Sequence, residues 1–261
     1  MRRKTDATLD YAGVRRHSRP ANIAGWLTRP WGDLNNHTIG TQRYWTIALQ
    51  NASFYADMAP LIRQYVRGRT LDLGAGRLAW RELLSRYATS YTSGDLTREH
   101  PEVDVLFDAT GQYPFADGSF DTIFCCSVLE HAQEPWKAFS EIWRVLAPGG
   151  TAIISVPFIY YLHGQPHDYY RFTRYGLAYL AERAGFEVEK VVANGGLTTL
   201  LLNIPSVALS LILSAARLAW LIPPVTRFFL LVDRNVGKRV ERGGLFSMNH
   251  LAVLRKPMSS Q

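Results

Sequence analysis

The sequence predicts an α/β fold, a doubly wound parallel sheet with helices on both faces. Three observations predict it. Short apolar runs alternate with helix-spaced stretches from Thr70 onward, and the first run, TLDL, breaks into a glycine turn at Gly74–Gly76. Gly68, Pro148-Gly149-Gly150 and Gly185 stand as stops beside these segments. With 47% apolar residues among 261, the chain has material for a sizeable core.

The elements follow in order. Residues 1–40, which contain RPANIAGWLTRPWGD, show no clear period and are expected to form an irregular arm. From Thr41 to Arg67, Tyr44, Ile47, Ala48, Ala52, Tyr55 and Met58 mark one helical face, with Pro60 placed to break or kink it. Strands are expected at TLDL, at the segment ending in Asp95, at VDVLFDA with Asp108 as its end, at DTIFCCSV and at TAIISVP. Between them LAWRELLSRYA and EPWKAFSEIWRVLA read as helices, the second carrying Trp136, Phe139, Ile142, Trp143 and Leu146 and running to Pro148. Later come a helix over TRYGLAYLAERAG, with Thr173 as its cap, and the strands FEVEKVVA and HLAVLRK. The expected organisation is an N-terminal arm and helical extension (1–69), a core (70–196), an apolar insertion (197–245) and a closing strand with its tail (246–261).

Charge is unevenly spread. Residues 1–69 carry 11 basic and 4 acidic side chains, residues 70–213 carry 10 and 16, and residues 214–261 carry 8 and 2. This is not a uniformly basic nucleic-acid surface, and no nucleic-acid partner is expected. Basic flanks beside apolar segments suit an anionic membrane surface, or simply solvate loops and helix faces. Cys125 and Cys126 are adjacent inside an apolar run and read as small buried hydrophobes, not a disulfide framework. MRRKTDATLDYAG lacks an apolar signal region, so a cytoplasmic protein is expected.

No charged residue lies between Lys190 and Arg217, and LTTLLLNIPSVALSLILSAA is long enough to attract a membrane-spanning reading. Asn203, Ser206, Ser210, Ser214 and Arg217 nevertheless draw a polar stripe down it, and Pro205 interrupts it. After Pro223-Pro224 a second stretch puts Val225, Phe228, Phe229 and Val232 on one face. Two amphipathic helices in a membrane interface fit best, ahead of a hairpin packed on the core or a partner, and of a single span.

The glycine loop is chemically ambiguous. Gly74 and Gly76 let backbone amides approach a ligand closely, and Ala79 even completes a G-x-G-x-x-A dinucleotide pattern. A phosphate-binding P-loop is excluded, because no Gly-Lys-Ser/Thr follows. Asp95, 21 positions after Gly74, is placed to accept both hydroxyls of a ribose, and Asp108 follows it at the next strand end.

Together LDLGAG, Asp95, FDA, YPFADGSFDTIFCCSVLEH and EIWRVLAPGGTAIISVP resemble the class I S-adenosylmethionine-dependent methyltransferases, of the broad type 11 domain, closely over Thr70–Pro157. That resemblance implies a Rossmann-like sheet of about seven strands with the last antiparallel. It implies S-adenosyl-L-methionine as cofactor. Gly74, Ala75 and Gly76 would line its methionine and ribose, Asp95 would hold the ribose hydroxyls, and Asp108 with Ala109 would meet the adenine. Ser127 would edge the methyl-transfer pocket, and Asp72 would orient the loop or the cofactor's amino group. Arg77 and Leu78 depart from the small residues usual after the second glycine.

The acceptor side points to VPFIYYLHGQPHDYYRFTRYG, which follows the fifth strand and has counterparts in members of this family. His163 and His167 are candidate bases with Asp168 beside them, and His131 in VLEH is a further one. Asp168, Tyr169 and Arg171 are candidate substrate contacts, although Asp168 and Arg171 equally suit a structural ion pair. The histidines show no metal-ligand spacing, methyl transfer requires no metal, and none is expected. The expected activity is methyl transfer to a small-molecule, lipid-linked or glycan acceptor at a membrane surface, with peripheral contact through 197–240. The alternatives are a catalytically idle cofactor-binding or scaffold protein of a membrane or glycan-processing assembly and, behind it, a nicotinamide-dependent oxidoreductase.

Overall fold

The computed structural model describes residues 23–240 and 243–258. Its strands are β1 (Arg69–Leu73), β2 (Ser90–Asp95), β3 (Val105–Leu106), β4 (Phe120–Cys126), β5 (Leu146–Pro157), β6 (Glu187–Asn194) and β7 (Asn249–Arg255). They form one sheet in the order β3-β2-β1-β4-β5-β7-β6. The first five strands pair in parallel, and β7 runs antiparallel between β5 and β6. This is the doubly wound α/β sheet expected, with its last strand reversed.

The helices are α1 (Ile23–Thr38), α2 (Leu49–Tyr65), α3 (Arg81–Ser85), α4 (Pro135–Val145), α5 (Arg174–Arg183), α6 (Leu197–Ala215) and α7 (Ile222–Val240). Parallel strands buried on both faces need apolar side chains on both. On one face Leu71, Leu73, Ile123, Cys125 and Ile154 pack against Phe139 and Ile142 of α4 and Leu177 of α5. On the other, Phe124, Ile153, Leu251 and Val253 meet Met58, Ile62 and Tyr65 of α2, with Trp45 and Trp80. The fully buried Cys125 belongs to this core, as its apolar run predicts.

Several local expectations are corrected. The irregular arm over 1–40 lies outside the described residues as far as position 22, and from Ile23 it is the helix α1. Pro30 had obscured its period. The single helix expected over Thr41–Arg67 is two elements, a 3-10 turn at Gln42–Thr46 and then α2. Ala48 between them is extended and has no side-chain cap, and α6 supplies the cap instead. Ser206 Oγ accepts from Leu49 N at 2.9 Å and Asn203 Oδ1 from Gln50 N at 3.0 Å, satisfying two of the free amides of the first turn. Pro60 lies inside α2 without ending it.

The third strand stops at Leu106, so Asp108 sits two residues beyond it in a turn, where Oδ1 accepts from Thr110 N and Oγ1. Helix α4 ends at Val145, not at Pro148. Lys256 Nζ donates to the carbonyls of Trp143 and Leu146 there, and Leu146 turns into β5.

The insertion is the hairpin α6–α7, and its amphipathicity is turned inward. Ser206 and Ser210 are wholly buried, and Asp233 of α7 accepts from Thr198 and Thr199 of α6. Arg234 pairs with Asp57 of α2 at 2.7 Å. The apolar residues point outward: Ile204 is 72% exposed, Ile212 62%, Trp220 71% and Phe228 63%.

Candidate active site

Chain direction brings the carboxyl ends of β1, β2 and β4 to one edge, where open α/β sheets hold ligands. A cavity of about 280 Å3 lies there, lined among others by Gly74, Asp95, Phe107, Asp108, Ala109, Ser127, Val128 and His131. A wider cleft of about 860 Å3 lies across the loop, against Gly40, Trp45, Arg77 and Trp80. It contains neither strand-end aspartate, so the chemistry is read from the smaller cavity.

Gly74 has φ +72°, and a Cβ added there would come within 2.1 Å of Val128 Cγ2. The loop thus needs glycine both for its conformation and for its close approach to Val128. Asp95 Oδ2 accepts from Gly76 N at 2.8 Å and Oδ1 from Thr97 N at 3.0 Å, which fixes the carboxylate at the cavity. Ser127 is a non-glycine residue at φ +56°, its amide held by the Ser155 carbonyl. Such a conformation costs on the order of 1–3 kcal/mol and aims the residue past the end of β4.

Of the expected cofactor contacts, Gly74, Asp95, Asp108, Ala109 and Ser127 border the cavity, whereas Asp72, Ala75 and Gly76 do not. Ala75 is buried with Leu78 and Val103 under the loop. Asp72 points to the opposite side of β1 and accepts from the Tyr91 hydroxyl at 2.7 Å. Burial pushes its carboxyl up to about 7, against the Tyr91 hydrogen bond and with a smaller push from Asp95. Leu78 takes φ +59°, and Arg77 donates to the Asn36 carbonyl of α1, so the departures after the second glycine tie this loop to the N-terminal helix.

The loop at 158–172, expected on the acceptor side, folds back over the 3-10 turn Leu129–His131. Tyr169 and Tyr170 donate their amides to the Glu130 carbonyl, and His131 Nδ1 lies 2.6 Å from the His167 carbonyl. A carbonyl only accepts, so that Nδ1 carries the proton and Nε2 is the free base. His163 comes within 3.5 Å of Glu130, its imidazole lowered by burial but held above its ordinary range by Glu130 and Asp168. His167 contacts the Tyr169 hydroxyl and does not border the cavity. Asp168 is pulled down to about 2, since the bidentate Arg171 pair and the His163 amide outweigh its burial. Asp168 and Arg171 are engaged with each other at the base of the loop, and Tyr169 OH accepts from Gln133.

Among the residues that escaped the sequence reading are Phe107 at the cavity and two whose contacts matter most. Val128 packs against Gly74, and Glu130 is fully buried with neither carboxylate oxygen hydrogen-bonded. The second had a signal, an acid immediately before His131 in VLEH.

One residue ties two of the recognisable segments together. Arg144 in RVLAPGG donates to the carbonyls of Tyr113 and Phe115 and pairs with Asp117 and Glu141, clasping the YPFADGSFD stretch. Residues 71–154 match the family model described as a methyltransferase domain. This chain carries a class I S-adenosylmethionine-dependent methyltransferase domain. An uncharacterized methyltransferase of Mycobacterium sp. (strain JLS) is 30% identical over 122 residues, 43% of this chain and 48% of that protein. The match therefore spans about half the length of that curated relative. The methyltransferase domain also resembles the [4+2]-cyclase SpnF, with TM-score 0.55 and 20% identity over 80% of this chain and 82% of that one. Haemonchus contortus phosphoethanolamine N-methyltransferase 2, solved with S-adenosylhomocysteine, has TM-score 0.52 and 18% identity over 77% of this chain and 53% of that one.

Proposed function

We propose that the protein transfers a methyl group from S-adenosylmethionine to a small-molecule or lipid-linked acceptor at a membrane surface. The observation that carries this is the convergence of Gly74, Asp95, Asp108, Ala109 and Ser127 on one cavity within the methyltransferase domain. The cofactor fits on structural grounds: a glycine whose Cβ would clash lies beside strand-end carboxylates able to accept from hydroxyl and amino groups. When bound, S-adenosylmethionine supplies a methyl group already activated on a sulfonium. Asp95, Asp108 and the Gly74 backbone would hold that cofactor. Ser127 and Val128 would border its reactive end and keep water away. His131 is the only one of the three candidate imidazoles that lines the cavity, and a proton leaving a hydroxyl acceptor would pass to its Nε2.

The membrane part rests on the outward apolar faces of α6 and α7. Leu201, Ile204 and Ile212 of α6, Trp220 of the turn between the helices, and Phe228 and Leu231 of α7 are all exposed large apolar side chains, and contiguous exposed apolar surface marks interaction sites. Helix α6 is long and apolar enough to cross a membrane and is mostly unburied. Its hydrogen bonds to α2 and α7 favour lying in the interface beside the domain. Arg217 and Arg227 stand beside these apolar residues in sequence, for anionic headgroups. Calorimetry with S-adenosylhomocysteine against NADH tests the cofactor; heat from NADH alone would overturn it. Flotation with anionic vesicles tests the surface, and a chain lacking 197–240 that floats as well as the full chain would refute the membrane role.

A further inference from the structure

Glu130, His131 and His163 form a cluster that methyl transfer does not by itself require. Their nearest ligand atoms all lie within 4.8 Å of one another. Glu130 Oε1 is 3.5 Å from His163 Nε2 and 3.9 Å from His131 Nε2. Both separations exceed a direct hydrogen bond, about 2.7–3.2 Å. They are close to the spacing of donors that share one ion, since ligands about 2.0–2.2 Å from a tetrahedral centre lie about 3.3–3.6 Å apart.

The Glu130 side chain is 0% exposed, and neither of its oxygens has a hydrogen-bond partner. A buried carboxylate in that state is costly unless a positive charge meets it. The imidazoles are pre-oriented to deliver one. His131 Nδ1 is committed to the His167 carbonyl. His163 Nδ1 faces the Tyr161 carbonyl at 3.3 Å and Asp168 Oδ2 at 3.6 Å. The His131 ring is thereby held with Nδ1 engaged and Nε2 toward Glu130, and His163 turns its Nε2 to the same carboxylate. Asp168, itself clamped by Arg171, stands behind His163 as the outer carboxylate stands behind a metal-bound histidine. Gly164 at φ +64° lets the loop lie on the His131 ring, where a Cβ would meet Cε1 at 2.6 Å.

We propose that Glu130, His131 and His163 bind one divalent transition-metal ion of the zinc class. Two histidines and one carboxylate complete three positions of such a site and leave the remainder open. His131 borders the strand-end cavity, so the open position faces an oxygen donor there. That last clause rests on the methyl-transfer reading of the cavity; the ion itself does not. With the ion bound, His131 Nε2 would be its ligand and no longer the base; an acceptor hydroxyl held by the ion would be made more acidic and would lose its proton to solvent water. The sequence hides this set because His131 and His163 come from separate loops that only the fold brings together.

The test uses the full chain without a histidine tag, stripped with a chelator and titrated with Zn2+ by calorimetry and with Co2+ by absorption. One equivalent should bind per chain. His163→Ala and His131→Ala should each weaken binding by more than tenfold. Asp168→Asn should weaken it about 10–100-fold, as loss of an outer partner does. His167→Ala, whose ring lies outside the cluster, should leave affinity within twofold. Absence of stoichiometric uptake by the native chain, or uptake unchanged in both His163→Ala and His131→Ala, would overturn the proposal. S-adenosylhomocysteine binding measured in parallel separates this failure from failure of the methyltransferase reading.

Discussion

Gly74→Ala tests the cofactor cradle through two costs that can be read separately. The residue sits at φ +72°, where a Cβ costs about 1–2 kcal/mol through its contact with the backbone. The same Cβ would stand 2.1 Å from Val128 Cγ2, and relieving such overpacking costs about 1–3 kcal/mol. The sum, about 2–5 kcal/mol, corresponds to roughly 4–20 °C in Tm for a chain of this size. Gly76 supplies the control. It has φ +51° with nothing within 4 Å of its Cβ position, so Gly76→Ala should show the conformational part alone. Val128→Ala in the Gly74→Ala background should return the steric part, giving a coupling of about 1–3 kcal/mol in a double-mutant cycle. Thermal and urea melts provide the stabilities, and calorimetry with S-adenosylhomocysteine reports the cradle. Equal losses for Gly74→Ala and Gly76→Ala, or no coupling with Val128, would refute the reasoning.

Three further outcomes follow from the same structure. Asp72 holds its proton more tightly when folded, at about 7 against an ordinary 3.8, so the folded chain binds more protons between those values and loses stability as pH rises through them. Asp72→Asn should gain on the native chain by up to about 4 kcal/mol between pH 4 and pH 8, and urea melts showing a pH-independent difference would contradict it. Asp95→Ala removes the acceptor for Gly76 N along with the carboxylate proposed to hold the cofactor's hydroxyls, and should raise the Kd for S-adenosylhomocysteine at least tenfold by calorimetry. Ile204→Glu with Phe228→Glu alters two outward side chains and should abolish vesicle flotation while Tm moves by only a degree or two; retained flotation would count against α6–α7 as the contact.

The sheet, and the meeting of Gly74, Asp95, Asp108 and Ser127 at one cavity, are legible because both depend on near-neighbour information. Asp95, Asp108 and Ser127 each fall at or just beyond a strand end, and parallel strands put all their carboxyl ends on one edge. What stayed hidden depends on distant packing. The break before α2 is invisible in its own residues, because its cap is Ser206, 157 positions away. Asp72 sits in the glycine motif yet turns to Tyr91, since strand alternation sends it to the face opposite Leu71 and Leu73. Glu130 drew no notice because an acid beside a histidine gains meaning only when His163 folds back onto it. Pro30 and Pro60 show the limit of local rules, for both lie inside helices.

Arg144 draws a division of labour through the chain. Two of the segments that make this sequence recognisable, YPFADGSFD and RVLAPGG, are fastened by its guanidinium on the side of β4 and α4. They can therefore pass unchanged between proteins that modify unrelated molecules, like a socket that accepts different tools. On the function proposed above, choice of acceptor would fall to the other parts, the loop at 158–172 and the hairpin α6–α7. A chimera that keeps 69–157 and β7 while exchanging those two parts should retain its fold and its cofactor and change what it methylates.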